Sequence, residues 1–352
     1  MKVLHLITTI DMGGAEKQLL VLVREQVASG MEVTVLPLKG SNELLKEFSG
    51  AGATVLSDLY LQLLFTQLFK LRSLTRLNEY VIHAHLPRAE LMASVVRRKK
   101  RLVVSRHNTE TFLPNGPKSL SIILSRWVYA RSDAVVCISM AVKKFMVSNL
   151  EIPDAPNVHV VHYGYDQNFP ILKRNVEPRT PLIIGTIGRL VPQKDHQTSI
   201  HAVSHLVRSG VPVELRILGD GPLKSSLTQL VVRLGLEDKV KFIRRTSDIH
   251  TFLDSLNIFV LASKYEGFGL VLLEAMCVGI PIVGARNSAI EEVLGNEHEL
   301  FFETSNFLEL AEQIIKLSSP IFLEEVISYQ VNNFQRFNPR TMSQEIRKTY
   351  LN

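Results

Sequence analysis

Cysteine is scarce in this sequence. Cys137 and Cys277 are the only two among 352 residues, too few for a disulfide framework, and each lies in an apolar run, as small buried hydrophobes do in a reducing compartment. Long apolar runs are also missing: the stretch 1–7 passes straight into Thr8 and Thr9, far short of a signal-peptide core or of the roughly 20 residues of a membrane span. A cytoplasmic chain is expected. No G-x-G-x-x-G occurs, which argues against a standard dinucleotide site. Asp-x-Asp is absent as well.

What is present is ordinary for a packed protein: 46% hydrophobic and 21% charged residues. The length predicts about two domains, because single cores stop growing near 250–300 residues. The formal charge of +6 is unevenly placed: residues 1–178 hold 22 Lys and Arg against 15 Asp and Glu, the remainder 18 against 19. A basic first half suits anionic lipid, a phosphate-bearing acceptor or nucleic acid.

Short β-branched runs alternate with amphipathic stretches throughout. Strands are predicted over 3–7, 32–38, 54–56, 81–84, 102–105, 134–138 and 158–161, then over 182–187, 213–218, 240–243, 258–261 and 281–284. Runs apolar throughout suit parallel strands covered on both faces, so the pattern is an α/β doubly wound fold occurring twice. An N-terminal domain is expected over 1–167, a Pro-containing linker over 168–180, a second domain over 181–337 and a last helix over 338–352. In open α/β sheets ligands bind beyond the carboxyl ends of the strands, which two such domains would present to a shared cleft.

Chemistry-bearing residues cluster after the strands. Gly13-Gly14-Ala15-Glu16 opens a helix whose N-terminus favours a phosphate or hydroxyl. His83-Ala84-His85, Ser105-Arg106-His107-Asn108 and Val161-His162-Tyr163-Gly164 end three strands; each His alone suits a hydrogen-bonded rim residue, and His107, beside Asn108 and Thr109 in a loop, is best placed to meet a ligand. Gly188-Arg189 and Lys194-Asp195 put two cations five residues apart on a strand-to-helix turn, where they can stabilise a departing phosphate. Arg216–Leu218 runs into Gly219-Asp220-Gly221 beside the same crevice. The most specific element is Glu266-Gly267-Phe268-Gly269-Leu270 followed by Glu274. Eight positions along a helix would part the two carboxylates by about 12 Å, too wide for the roughly 5–10 Å of a hydrolase's paired acids but suited to one extended ligand touched at two places.

These residues, in this order over most of the chain, resemble the family-four retaining glycosyltransferases of the GT-B fold. The resemblance implies that Arg189 and Lys194 bind the donor diphosphate and stabilise the leaving group, and that Glu274 meets the ribose. It implies that Glu266, with the amides of Phe268 and Gly269, holds the transferred sugar, with Gly219, Gly267 and Leu270 also lining the donor. His107 is implied to contact the reacting sugar, and Gly14 to lie against the diphosphate and the acceptor. Gly13, His85 and Ser139 are further acceptor-side positions, although Ser139 is equally suited to capping the helix that starts at Met140. The expected co-substrate is a nucleotide diphosphate sugar, a UDP-sugar foremost, with a saccharide or lipid-linked acceptor; no cofactor, metal or nucleic-acid partner is implied, and the protein's own cations stand in for Mg²⁺. Ala262 replaces a frequent proline and Arg244-Arg245-Thr246 a frequent glycine, which leaves the base open. A sugar-nucleotide epimerase and a non-catalytic sugar-binding subunit are the alternatives. The segments 59–80 and 117–131, apolar with Lys70, Arg72, Arg76, Lys118, Arg126 and Arg131, suit either core-facing helices or helices resting on the cytoplasmic face of an anionic membrane.

Overall fold

The computed structural model describes residues 1–57, 64–77, 79–97, 99–114, 116–165, 180–244 and 248–351. Apart from Thr180, the expected linker 168–180 lies outside them, as do Arg98, Arg245 and Thr246. The chain forms two compact units, one from Met1–Asp166 with Phe337–Asn352 and one from Gln167–Arg336.

The first unit is built on seven strands: β1 Lys2–Ile7, β2 Glu32–Pro37, β3 Thr54–Val55, β4 Tyr80–His85, β5 Leu102–Arg106, β6 Ala134–Cys137 and β7 Val158–Val160. Their order is β3-β2-β1-β4-β5-β6-β7, and every neighbouring pair is parallel. β1 and β5 are buried at nearly every position, as strands covered on both faces must be. Strand order reverses between β1 and β4, the switch point at which a doubly wound sheet opens a crevice.

Helix Pro339–Leu351 belongs to this unit and packs against helix Gly14–Ala28. The returning chain is tied by Tyr165 N–H donating to the Phe337 carbonyl at 2.8 Å. Gly164 leaves no room at the start of that helix: a Cβ there would lie 2.4 Å from Pro339 Cα.

The second unit carries β8 Leu182–Ile187, β9 Val213–Leu218, β10 Val240–Ile243, β11 Ile258–Leu261, β12 Ile282–Arg286 and β13 Phe301–Glu303, ordered β10-β9-β8-β11-β12-β13 and again all parallel. The order reverses between β8 and β11. β13 was not expected; its three residues follow the polar run Asn296-Glu297-His298-Glu299, and no period can be read from so short a segment. Among the described residues no helix is long and apolar enough to cross a membrane.

Gly164→Ala is expected to destabilise the protein by about 1–3 kcal/mol, because the Pro339 backbone must move to admit the methyl. A shift in the denaturant midpoint measures it, and an unchanged midpoint would show that the helix start gives freely.

Candidate active site

In the second unit the loops after β8 and β11 meet at the switch point. Lys264 N–H donates to the Gln193 carbonyl at 2.8 Å, and the Gln193 side-chain amide donates to the Tyr265 carbonyl at 2.9 Å. These bonds set Lys194 opposite Glu266, with Nζ 2.5 Å from Oε1 and side chains only 17% and 8% exposed. A charge-assisted bond so shielded from water is far stronger than a surface pair. Lys194 ends the 3₁₀ turn Pro192–Lys194, and Asp195 follows in the left-handed region at φ 45°. The Asp195 carboxylate accepts from Thr198 Oγ1 at 2.9 Å and from Ser305 Oγ at 2.6 Å, which anchors the turn to the segment beyond β13.

The surrounding backbone is crowded. A Cβ on Gly219 would lie 2.0 Å from the Gly188 carbonyl oxygen, and one on Gly221 2.7 Å from that of Leu190, so only glycine lets the loop after β9 lie against the loop after β8. Arg189 is exposed, and its guanidinium makes no hydrogen bond or ion pair with the described residues. Ser263 is fully buried just beyond β11 with a hydroxyl that finds no partner among the described residues.

The helix of this element starts only at Leu270, capped by Gly269 at φ 86°. Glu266 therefore lies in the loop before it, and the expected spacing of eight helical positions is corrected: four of the eight steps are not helical. Glu274 is half-buried on that helix, between the buried Leu273 and Ala275. Phe268 is buried, whereas Gly267, Gly269 and Leu270 are half-buried.

In the first unit, Gly14 is exposed at the first turn of helix Gly14–Ala28, but the anion already there is the chain's own. Glu16 folds back so that a Cβ on Gly13 would meet its carboxylate at 2.2 Å, and Thr9 Oγ1 donates to it at 2.8 Å. Ser139 is buried and accepts from Val142 N–H at 3.0 Å as the cap of helix Met140–Ser148. His85 is likewise interior, 2% exposed, where a rim position was expected. Its Nδ1 lies 3.1 Å from His107 Nε2 and its Nε2 3.0 Å from His5 Nδ1. His107 is half-buried, and its Nδ1 lies 2.5 Å from the Tyr163 hydroxyl, so both its ring nitrogens are engaged within the unit.

The loop carrying His107 is held by Arg106, which is buried between Glu90 and Glu151 and stacks 4.8 Å over the Phe112 ring. Such a triad is costly to desolvate and costlier to break, because removing the cation strands two buried acids.

One group of side chains has the look of a metal site: the ligand atoms of His5, His83 and His85 lie within 4.8 Å of one another. Every one of those ring nitrogens already has a partner. His5 Nε2 meets Gln26 Oε1 at 2.7 Å, His83 Nδ1 meets the Tyr350 hydroxyl at 2.7 Å, and His83 Nε2 meets Ser105 Oγ at 2.7 Å. A cation would have to displace bonds that satisfy the rings as they stand.

Two doubly wound parallel sheets, one with a shielded lysine–glutamate pair at its switch point, define a protein of the GT-B class. Residues 12–169 match the family model described as Glycosyltransferase Family 4, and residues 168–329 the model described as Glycosyl transferases group 1. The chain belongs to the family-four glycosyltransferases. It is 26% identical over 253 residues to an N-acetyl-alpha-D-glucosaminyl L-malate synthase of Bacillus anthracis, covering 69% of this chain and 66% of that one. Over 174 residues it is 28% identical to the capsular polysaccharide biosynthesis glycosyltransferase CapM of Staphylococcus aureus, covering 48% and 45%. The aligned region thus spans less than two thirds of either relative. Among solved structures, Anabaena HepE in complex with UDP superposes with a TM-score of 0.84 at 20% identity over 99% of both chains, and TarM with 0.79 at 13% identity over 100% of this chain and 99% of that one.

Burial holds four histidines of the first unit neutral: it lowers His5 to about 4 and His107 to about 3, and pushes His83 and His85 well below the usual range. Unfolding frees rings that take up protons near 6.5, so the stability they contribute is present above that pH and is lost as pH falls toward 4. Burial raises Glu90 to about 7 and raises Glu16 as well; their contributions run the other way and are lost as pH rises through the raised values, but they are two groups against the four rings and against His159, His196 and His298, which burial also lowers. Denaturant unfolding is expected to show a lower midpoint at pH 5 than at pH 7. A higher midpoint at pH 5 would contradict neutral burial of the rings.

Proposed function

We propose that the protein transfers a sugar, with retention at its reacting carbon, from a nucleotide diphosphate donor to an acceptor hydroxyl in the synthesis of a cell-surface polysaccharide, lipopolysaccharide or glycolipid. The observation that carries this reading is the Lys194–Glu266 pair at the switch point of the second sheet. A lysine already matched to a carboxylate in a shielded pocket presents a charge that a phosphate can take over without large reorganisation. Arg189 adds an exposed cation on the same turn. With the diphosphate on Lys194, Glu266 is released to the hydroxyls of the transferred sugar, beside the loop 267–269. Glu274 sits further along the helix, where it suits the ribose.

In this proposal the bond from the sugar carbon to the diphosphate oxygen breaks while the acceptor oxygen bonds to that carbon from the same face. The acceptor's proton passes to the departing phosphate oxygen. No carboxylate base is then required, and Arg189 with Lys194 supplies the charge that a metal would. A UDP-sugar is the proposed donor, supported by the bound UDP of HepE. The polysaccharide setting is supported by CapM and by a lipopolysaccharide core glycosyltransferase of Rhizobium meliloti, 34% identical over 110 residues.

A lipid-linked acceptor at an anionic membrane surface fits the first unit. Phe65 and Phe69 are 84% and 76% exposed on helix Leu64–Leu77, next to exposed Lys70, Arg72 and Arg76. Ile123 and Trp127 are 62% and 38% exposed on helix Lys118–Arg131, near Arg126 and Arg131. Apolar side chains ringed by cations are the surface that peripheral helices offer to lipid.

Lys194→Ala and Glu266→Ala are each expected to fold and to lose about 100-fold or more in turnover, the scale on which single transition-state contacts act; near-normal turnover in either refutes the assigned roles. UDP should raise the melting midpoint of the unaltered protein and less so that of Lys194→Ala. Phe65→Ser with Phe69→Ser should weaken sedimentation with vesicles containing anionic lipid at low salt, and undiminished sedimentation would remove those residues from any membrane contact.

A further inference from the structure

Three buried histidines and a half-buried fourth in one hydrogen-bonded series exceed what a core needs, and the bonds among them have a direction. His5 in β1 and His83 in β4 are register partners, as are His85 in β4 and Ser105 in β5. His83 and His85, two positions apart on one strand, share a face. Helices Gly14–Ala28 and Pro339–Leu351 bring Gln26 and Tyr350 to these rings.

A neutral imidazole has one N–H and one bare nitrogen, so a ring-to-ring contact is a bond only if one of the two facing nitrogens carries a hydrogen. Gln26 sets the sense. Its Oε1 faces His5 Nε2 at 2.7 Å, and its Nε2 faces the Tyr350 hydroxyl at 3.0 Å. His5 must therefore donate from Nε2 and accept at Nδ1. The hydrogen toward that Nδ1 comes from His85 Nε2, and the one toward His85 Nδ1 from His107 Nε2. His107 Nδ1 is then bare and accepts from the Tyr163 hydroxyl. On the other side Tyr350, which accepts from Gln26, gives its own hydrogen to His83 Nδ1, and His83 donates from Nε2 to Ser105. One tautomer, hydrogen on Nε2, serves all four rings and leaves none of these contacts without its hydrogen.

We propose that Tyr350 and Gln26 are positioning residues for His107: with His5 and His85 they form a single directional hydrogen-bond chain that fixes the His107 tautomer and turns the Tyr163 hydroxyl hydrogen inward at the carboxyl end of the first sheet. Reversing the chain requires the Gln26 amide to rotate and every ring in it to exchange tautomer together. Tyr350 couples the two halves: a rotated Gln26 amide would turn its oxygen toward Tyr350, which would then have to donate to it and accept from His83 Nδ1, with Ser105 donating to His83 Nε2. The burial that keeps these rings neutral is what allows each to be both donor and acceptor.

The chain itself does not depend on which reaction the protein performs; only its effect on turnover rests on the glycosyl-transfer reading. Long-range ¹H–¹⁵N correlation spectra of the full protein labelled in histidine report the tautomer of each ring. The His107 signals are assigned by their loss in His107→Gln. The expected result is a single Nε2–H tautomer for His5, His83, His85 and His107. In Tyr350→Phe, which keeps the ring and removes the joint between the two halves, His107 should become a mixture of tautomers. Gln26→Met is the second variant should the first fail to fold. A mixture in the unaltered protein, or a His107 tautomer unmoved in the folded variant, overturns the proposal. With a donor and acceptor in hand, Tyr350→Phe should lower kcat about tenfold with the donor KM unchanged, the low end of what outer hydrogen-bond partners contribute. A shifted tautomer with unchanged kcat would show that the chain does not position His107 for transfer. Correct tautomers in a protein without transferase activity would count against the proposed function and leave the chain standing.

Discussion

Every strand of both sheets runs parallel to its neighbours, and that constraint governs where chemistry can occur. A parallel sheet sends all its carboxyl ends to one edge, and the reversal of strand order opens a gap there that no crossover covers. In the second unit the gap lies between β8 and β11, and the loops that leave those strands carry Lys194 and Glu266. In the first unit it lies between β1 and β4, whose side chains include His5, His83 and His85. The same geometry thus gives one unit a charged pair and the other a neutral polar series.

The two solutions differ in what they ask of water. The lysine–glutamate pair is partly shielded but reachable, with the exposed Arg189 on the same turn, as befits groups that exchange partners with a ligand. The imidazoles are sealed under two helices, and burial removes their charge altogether. Between these extremes stands Arg106, a full charge kept in the interior because Glu90 and Glu151 flank it.

Much of this was legible in the sequence. Apolar runs without alternation gave twelve of the thirteen strands among the described residues, because parallel strands buried on both faces leave that signature. The grouping of Arg189, Lys194 and Glu266 after strand ends followed from where open sheets bind ligands. The direct contact of Lys194 with Glu266 did not, since it depends on Gln193 bridging to Tyr265 across 72 positions of chain. The helix start beside Gly269 was legible, but the spacing of Glu266 and Glu274 misled because it counted eight helical steps although Glu266 precedes that start. His83 and His85 were legible as polar residues at a strand end, but not as rings whose bonding Gln26 and Tyr350 complete. Those partners come from helices, and Tyr350 lies 267 residues away from His83. Ser139 was legible both as a cap and as a ligand contact, and the structure uses its hydroxyl for the cap.

The last helix has a consequence for how the molecule is made. The chain leaves the first unit near Asp166 and returns at Phe337, so the second unit is in effect an insertion within the first. A ribosome will have released β1 through β7 and the whole second sheet before Tyr350 emerges. Until then His83 lacks the hydroxyl that bonds its Nδ1, and helix Gly14–Ala28 lacks the helix packed against it. Of the two units, the one whose synthesis begins earlier is therefore the later to be finished, and nascent chains stalled before Tyr350 should carry an unsealed polar core that quality-control machinery can recognise.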